Sequence, residues 1–462
     1  MSDVTNVRHV IFAFGCGMAL VLGMLFLIII QLPGFLSLMV WTMVLAIDVG
    51  LVAAGYYSKG VSADWASNGL RTGNEAAALY YISYVLYVLA GIWLLIVIYL
   101  RKRIVLAISC VREAAKAIAS MPIITIFPAV QTLGLFAFTI VWGIFMAFLA
   151  SSGDIVASCM CPSTNETLST LIESFGSVDG TCDDGCVVHK ELMYSANTKY
   201  AGFYMLFVWF WTSQFIVAAG QLVVALAISL WYFNRNRSAV KNATFFRAFY
   251  LVSFYHLGTA AFGSLIIAIV KTIRAVLTYV QKKATKSSLR VAQVILSTLK
   301  CLLWCVEKVL KFINKQAYIQ TAIFGYSFCK ASRMGFFLIL RNALRITAVS
   351  VVSQLVLFIG KLFITVASAV GGYYYLEIHY GDELHSLTVP TLLVGFLAYA
   401  VSEAFSEVLG MAISTILQCF VADEELFDQA EDRFAPDSLM ECIDTTQQRY
   451  KKKKQVAVEE QV

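Results

Sequence analysis

Long apolar runs separated by short polar or basic links set the plan of this chain. Val10 to Ile30 and Phe35 to Tyr57 are joined only through Gln31-Leu-Pro-Gly34, which predicts an antiparallel pair of helices. Leu79 to Leu100 ends at Arg101-Lys-Arg103, and Ile123 to Ala150, Ala201 to Phe233, Ile346 to Leu376 and Leu387 to Phe420 repeat the pattern. Each run approaches or exceeds the ~20 residues that carry a helix across a ~30 Å hydrocarbon core. None alternates as a strand does, so helices rather than a barrel must satisfy the backbone in lipid. The expectation is an all-α polytopic membrane protein of roughly seven to nine transmembrane helices plus interfacial amphipathic helices.

Two stretches carry the helical period without a continuous apolar run. Ile104 to Ser120 has Arg112, Glu113 and Lys116 on one side, which predicts a surface helix. Leu289 to Lys315 sets Arg290, Gln293, Ser297, Lys300, Lys308 and Lys311 along one stripe, which predicts a helix lying in the cytosolic interface. Phe249 to Val270 and Tyr318 to Leu340 are the additional candidate spans. The expected organisation is an N-terminal membrane bundle over 1–248 with an external loop at 151–199. A C-terminal bundle over 249–422 contains the amphipathic helix 289–315, and 423–462 form a charged cytosolic tail.

Composition narrows the class. Hydrophobic residues make up 59% and charged residues 14% of the 462, against about 25% charged in soluble domains. The net charge of +6 does not point to nucleic acid; the basic residues sit between apolar runs, where they report topology. The loop 151–199 holds the acceptor triplet Asn165-Glu-Thr167 and four cysteines, Cys159, Cys161, Cys182 and Cys186. Acceptor and cysteines agree on an oxidising, external side, with Cys159 and Cys161 expected to pair outward to Cys182 and Cys186. There is no Gly-rich phosphate loop, no zinc spacing and no nucleophile elbow, so neither an enzyme nor a cofactor or metal is expected.

One block is more specific than composition. It opens at His256-Leu-Gly-Thr-Ala-Ala-Phe-Gly and passes through Cys301-Leu-Leu-Trp-Cys-Val-Glu-Lys and Asn314-Lys-Gln-Ala-Tyr-Ile-Gln-Thr-Ala-Ile-Phe-Gly. It continues with Arg341-Asn-Ala-Leu-Arg and closes at Phe358-Ile-Gly-Lys-Leu. This block resembles the choline transporter-like family (solute carrier 44 type), polytopic proteins that carry choline and related amines. The resemblance implies nine spans, with Phe249 to Val270 and Tyr318 to Leu340 included. It also implies a first span and a large glycosylated external loop that this chain lacks, so a truncated gene product beginning at an internal Met is expected. Ser350, Val351, Ser414 and Thr415 stand where relatives usually carry other polar residues, and Glu403 and Glu407 are additional.

The implied substrate sets the search for a site. Choline cannot donate from its quaternary nitrogen, so aromatic faces must hold it, assisted by a carboxylate. Tyr80, Tyr84 and Tyr87 share one helix face; Tyr204 and Trp211 share another, and Gln214 and Gln221 a third. The candidates for substrate contact are Tyr84, Tyr87, Trp211, Gln214 and Gln221, each of which could equally be a packing or interfacial-belt residue. Charges inside spans are costly and tend to be functional. Asp48, His256, Lys361, Glu403 and Glu407 are therefore candidates for coupling or gating. Lys361 could snorkel to an interface or pair with Glu403, and the repulsion between Glu403 and Glu407 could leave one of them protonated. The expected function is a carrier for choline or ethanolamine by alternating access, with or without proton coupling, in the plasma membrane or an organelle membrane, with its lipids as the other partner. The alternatives are a non-transporting scaffold or regulator and a carrier of another small organic cation.

Overall fold

The structure is a computed structural model, which describes residues 2–32, 34–68, 72–160, 187–284, 290–381, 384–427, 429, 432–436 and 438–440. After a short turn of helix at Ser2–Asn6 come α1 (Arg8–Gln31), α2 (Phe35–Asn68), α3 (Gly73–Ser120) and α4 (Ile123–Ser151). A hairpin of β1 (Asp154–Met160) and β2 (Val187–Met193) leads to α5 (Ala196–Tyr232) and α6 (Asn242–Lys282). The chain continues through α7 (Arg290–Phe324), α8 (Phe328–Arg341), α9 (Ala343–Tyr380) and α10 (Thr388–Leu426). The β strands pair antiparallel, Asp154 opposite Met193 and Cys159 opposite Val188. Cys161, Cys182, Cys186 and Asn165, the expected disulfide and glycosylation residues, lie outside the described residues, as does the side chain of Cys159.

Among the described residues, eight helices are long and apolar enough to cross a membrane: α1 to α6, α9 and α10. The protein is an integral membrane protein of helical type. Gly34, at φ +83°, makes the turn between α1 and α2, a backbone conformation open to glycine without steric cost.

The chain divides into two compact units. The first comprises 1–130, 218–260 and 312–462. Its core is built on small residues, which let helix backbones approach closely where lipid gives no hydrophobic drive between helices. Along α9, Val352, Val356, Gly360, Ile364, Ser368, Gly372 and Leu376 are all buried at a four-residue interval. Gly360 is the tightest point, since a Cβ there would lie 2.7 Å from the Phe26 ring of α1.

Ile104 to Ser120 is not a surface helix. It continues α3 without interruption, and Ala107, Cys110, Val111, Ala114, Ala115 and Ala117 are fully buried. Its charges are absorbed locally, because Glu113, only 2% exposed, accepts from Lys116 at 2.7 Å.

The second unit comprises 131–217 and 261–311. Its polar side chains are hooked onto backbone: Gln131 donates to the Ile216 carbonyl at 2.7 Å and the Trp142 indole to Met205 at 2.8 Å. On the polar stripe expected on 289–315, Ser297, Lys308 and Lys311 are exposed and Lys300 is half-buried, and part of the stripe pairs within α7 and with α6. Arg274 and Lys311 both reach Glu307, at 2.5 and 2.8 Å, and Lys300 donates to Gln281 at 2.9 Å. The outward face carries exposed Val294, Leu302, Trp304 and Val309, a surface suited to lipid rather than water.

Parity gives α7 its role. The loop after α5 touches the segment after α10, with Arg235 donating to the Asp432 carbonyl at 3.2 Å, so both lie on one side of the membrane. Arg341 at the end of α8 pairs with Glu425 at 3.0 Å, which puts the α8–α9 junction on that side too. Between the α5–α6 loop and Arg341 an even number of crossings is therefore required. α6 supplies one, and α8, with 14 residues, reaches only about 21 Å. The 35 residues of α7 span about 52 Å, long enough to supply the other. Tyr318 to Leu340 is accordingly not a single span, because the chain breaks at Gly325, where φ is +69°. The strongly amphipathic α8 is the element suited to the interface.

Candidate functional site

The α2–α3 hairpin, within the first unit, carries the densest set of expected residues. Three contacts fix its register. The Trp93 indole donates to the Val44 carbonyl at 3.3 Å. The Tyr87 ring lies against Gly55, where a Cβ would stand 2.9 Å from Cε1. Ser62 donates to the Ala76 carbonyl at 2.7 Å. Asp48 is one turn beyond Val44 towards Gly55, on the face that meets α3. It therefore falls between the Trp93 and Tyr87 contacts. Its Oδ1 is buried and has no hydrogen-bond partner among the described residues, while the side chain as a whole is half-buried. A buried acceptor without a donor costs about 1–3 kcal/mol, so the fold holds Asp48 there at a loss.

From this point a row of rings runs along α3. Tyr84 and Tyr87 meet edge to face at 6.4 Å between centroids, Tyr80 and Tyr84 at 5.1 Å, and Tyr80 and Tyr81 at 6.1 Å. The Tyr80 and Tyr84 hydroxyls are 3.0 Å apart. The row ends at a cleft of ≈ 470 Å³ bordered by Ser62, Trp65, Gly73, Tyr80 and Tyr81. This cleft is open: Tyr80, Tyr81 and Tyr84 are 42%, 69% and 46% exposed. Aromatic faces and a carboxylate along one seam are the groups that accept an alkylated ammonium.

Other expected residues are placed differently. Trp211 belongs to the second unit, where its indole donates to the Ala261 carbonyl at 3.1 Å and its ring stacks obliquely on Phe207 at 6.0 Å. That is an anchoring role between α5 and α6. Gln214 is half-buried in the same unit, and Gln221 is half-buried in the first. His256 closes a π-helical turn, Val252–His256, and is half-buried. Such turns recur at functional sites.

Glu403 and Glu407 of α10 are each approached by a lysine. Lys361 Nζ lies 2.8 Å from Glu403 Oε2, so of its two expected arrangements Lys361 adopts the pair. Lys315, on α7, donates to the Gly410 carbonyl at 3.2 Å and feels the carboxylate of Glu407. The repulsion expected between Glu403 and Glu407 is thus divided between two cations.

The residue pattern alone gave no role to a buried polar belt between α7 and α10. Gln320 donates to Gln418 at 3.0 Å, and Gln418 in turn donates to Gln316. Asn314, Thr321 and Thr415 are buried beside them. Asp423, fully buried, accepts from the Tyr232 hydroxyl at 3.1 Å. The available signal was the run Asn314 to Thr321, polar at five of eight positions, in which Asn314, Gln316, Gln320 and Thr321 are the buried uncharged members.

A family described as plasma-membrane choline transporter matches residues 84–425. Choline transporter-like protein 2 of Dictyostelium discoideum is 33% identical over 458 residues, covering 96% of this chain and 68% of that protein. Choline transporter-like protein 1 of Caenorhabditis elegans is 34% identical over 371 residues, covering 77% and 47%. Choline transporter-like protein 2 of Danio rerio is 32% identical over 370 residues, covering 76% and 52%. The chain spans about two thirds of the first of these relatives and about half of the other two.

Proposed function

The chain belongs to the choline transporter-like family, and from that premise we propose that it carries choline across the plasma membrane, with the α2–α3 seam as part of its path. The observation that supports this reading is the buried, donorless Oδ1 of Asp48, set between the contacts of Trp93 and Tyr87. In the proposed path the cation enters at the cleft beside Trp65 and Tyr80. It passes the rings of Tyr84 and Tyr87 and takes the Asp48 carboxylate as counter-charge. Each ring face contributes about 0.5–2 kcal/mol to a cation that has shed its water. Alternating access would move the loaded site from one side to the other. Lys361–Glu403 and Lys315–Glu407 are the proposed coupling pairs, and His256 and Gln221 are proposed as further path residues. In this reading Trp211 positions α5 rather than touching substrate.

Ethanolamine fits the same seam, because its primary ammonium can donate to Oδ1 where choline cannot. Labelled choline uptake in cells expressing the chain tests the assignment, with unlabelled ethanolamine as competitor. Asp48→Asn should reduce uptake to background and Glu403→Gln should lower it, while Trp211→Phe, which keeps the ring, should retain it. Uptake undiminished in Asp48→Asn would overturn the site. Uptake absent from the unaltered chain, with the protein confirmed at the cell surface, would overturn the function.

A further inference from the structure

The chain beyond α10 is strapped back onto α10, α3 and the α5–α6 loop of the first unit. The Phe434 amide donates to both carboxylate oxygens of Asp423, at 3.1 and 2.9 Å. The Phe434 carbonyl accepts from Arg237, and the Arg235 guanidinium lies 4.8 Å over the Phe434 ring. Leu439 is completely buried. Ser438 ties the strap to α3, its Oγ donating to Glu113 Oε1 at 2.8 Å. That same oxygen takes the Lys116 ammonium at 2.7 Å, and Glu113 is almost fully buried.

We propose that Ser438 is a phosphorylation site and that a phosphate there releases the strap. A docked Ser438 and a phosphorylated one exclude each other. The phosphoryl oxygens would stand at hydrogen-bond distance from a buried carboxylate, and a single lysine cannot balance both. Phosphate beside an acidic side chain acts by repulsion and by the cost of desolvation. The sequence around the hydroxyl suits a kinase that reads acidic residues, with Asp437 directly before it and Glu441 three positions after. The strap binds the basic loop at Arg235 and Arg237, which the positive-inside rule puts on the cytosolic side, where nucleoside triphosphates are available.

The reaction is ordinary phosphoryl transfer. Ser438 Oγ forms a bond to the γ-phosphorus of the nucleoside triphosphate while the β,γ-bridging P–O bond breaks. The nucleoside diphosphate leaves, and the hydroxyl proton passes to the kinase's catalytic carboxylate. Because Ser438 is half-buried when docked, the kinase captures the undocked strap, and modification shifts the population towards it.

The test uses the full chain in detergent micelles, treated with an acidic-directed protein kinase and magnesium ATP. Phosphopeptide mapping should place a phosphate on Ser438, absent in Ser438→Ala. Tryptic cleavage after Arg433, within the strap, reports docking. It should be roughly tenfold faster in the phosphorylated protein and in Ser438→Glu than in the unmodified chain, since cleavage follows the open population. Glu113→Gln in the Ser438→Glu background should restore much of the protection, a rescue that a generally unfolded variant would not give. Absence of phosphate on Ser438, or equal cleavage rates for the phosphorylated and unmodified proteins, would overturn the proposal.

Discussion

Replacing Asp48 should move affinity and stability in opposite directions. With the quaternary nitrogen about 5 Å from the carboxylate and an effective dielectric of about 20, the attraction is about 3 kcal/mol. Asp48→Asn keeps the shape and removes that term, so choline should bind about 200-fold more weakly. The same carboxylate has a buried oxygen with no donor, which costs the substrate-free protein about 1–3 kcal/mol. Asp48→Leu, of similar size and without polar atoms, should therefore raise stability by about that amount while also losing binding. Equilibrium binding of labelled choline to purified protein measures the first effect. Thermal unfolding in the same detergent, without choline, measures the second. The reasoning fails if Asp48→Asn binds within twofold of the unaltered protein, or if Asp48→Leu unfolds more readily, since either would make Asp48 a structural residue.

Gly55→Ala would push a methyl group to 2.9 Å from the Tyr87 ring, and turning that ring should weaken choline binding about tenfold with 1–3 kcal/mol of overpacking strain; binding unchanged at lower stability would detach Tyr87 from the site. For Lys361 and Glu403, half-exposed partners 2.8 Å apart, a double-mutant cycle of Lys361→Met and Glu403→Gln on thermal stability should give a coupling near 1 kcal/mol after allowance for screening. Gln418→Leu removes the centre of the belt, strands Gln316 and Gln320, and should cost about 2–4 kcal/mol, read as a lower unfolding temperature.

The crossing helices were legible because lipid leaves little freedom: an apolar run of sufficient length must be a helix. Gly34 marked the first turn for the same local reason. Ile104 to Ser120 was not legible, since Arg112, Glu113 and Lys116 within a short window suggest water. What outweighs them is the alanine-rich face of Ala107, Ala114, Ala115 and Ala117, together with a partner for Glu113 at Ser438, far along the chain. The stripe on 289–315 was legible in its period, whereas the partners of its members, such as Glu307 for Lys311 and Arg274, come from the fold. At the site, the tyrosine spacing was visible, whereas the placing of Asp48 between Trp93 and Tyr87 depends on a glycine contact in a different helix. Trp211 shows the limit of spacing arguments, for an indole anchored on a backbone carbonyl and one facing a ligand have the same signature.

An uninterrupted α3 of 48 residues is about 72 Å long, more than twice the thickness of the oil it crosses. Such a rod behaves as a lever: pivoting by 10° displaces one tip by about 12 Å relative to the other. The tyrosine cleft and Glu113 stand near opposite ends of that one rod.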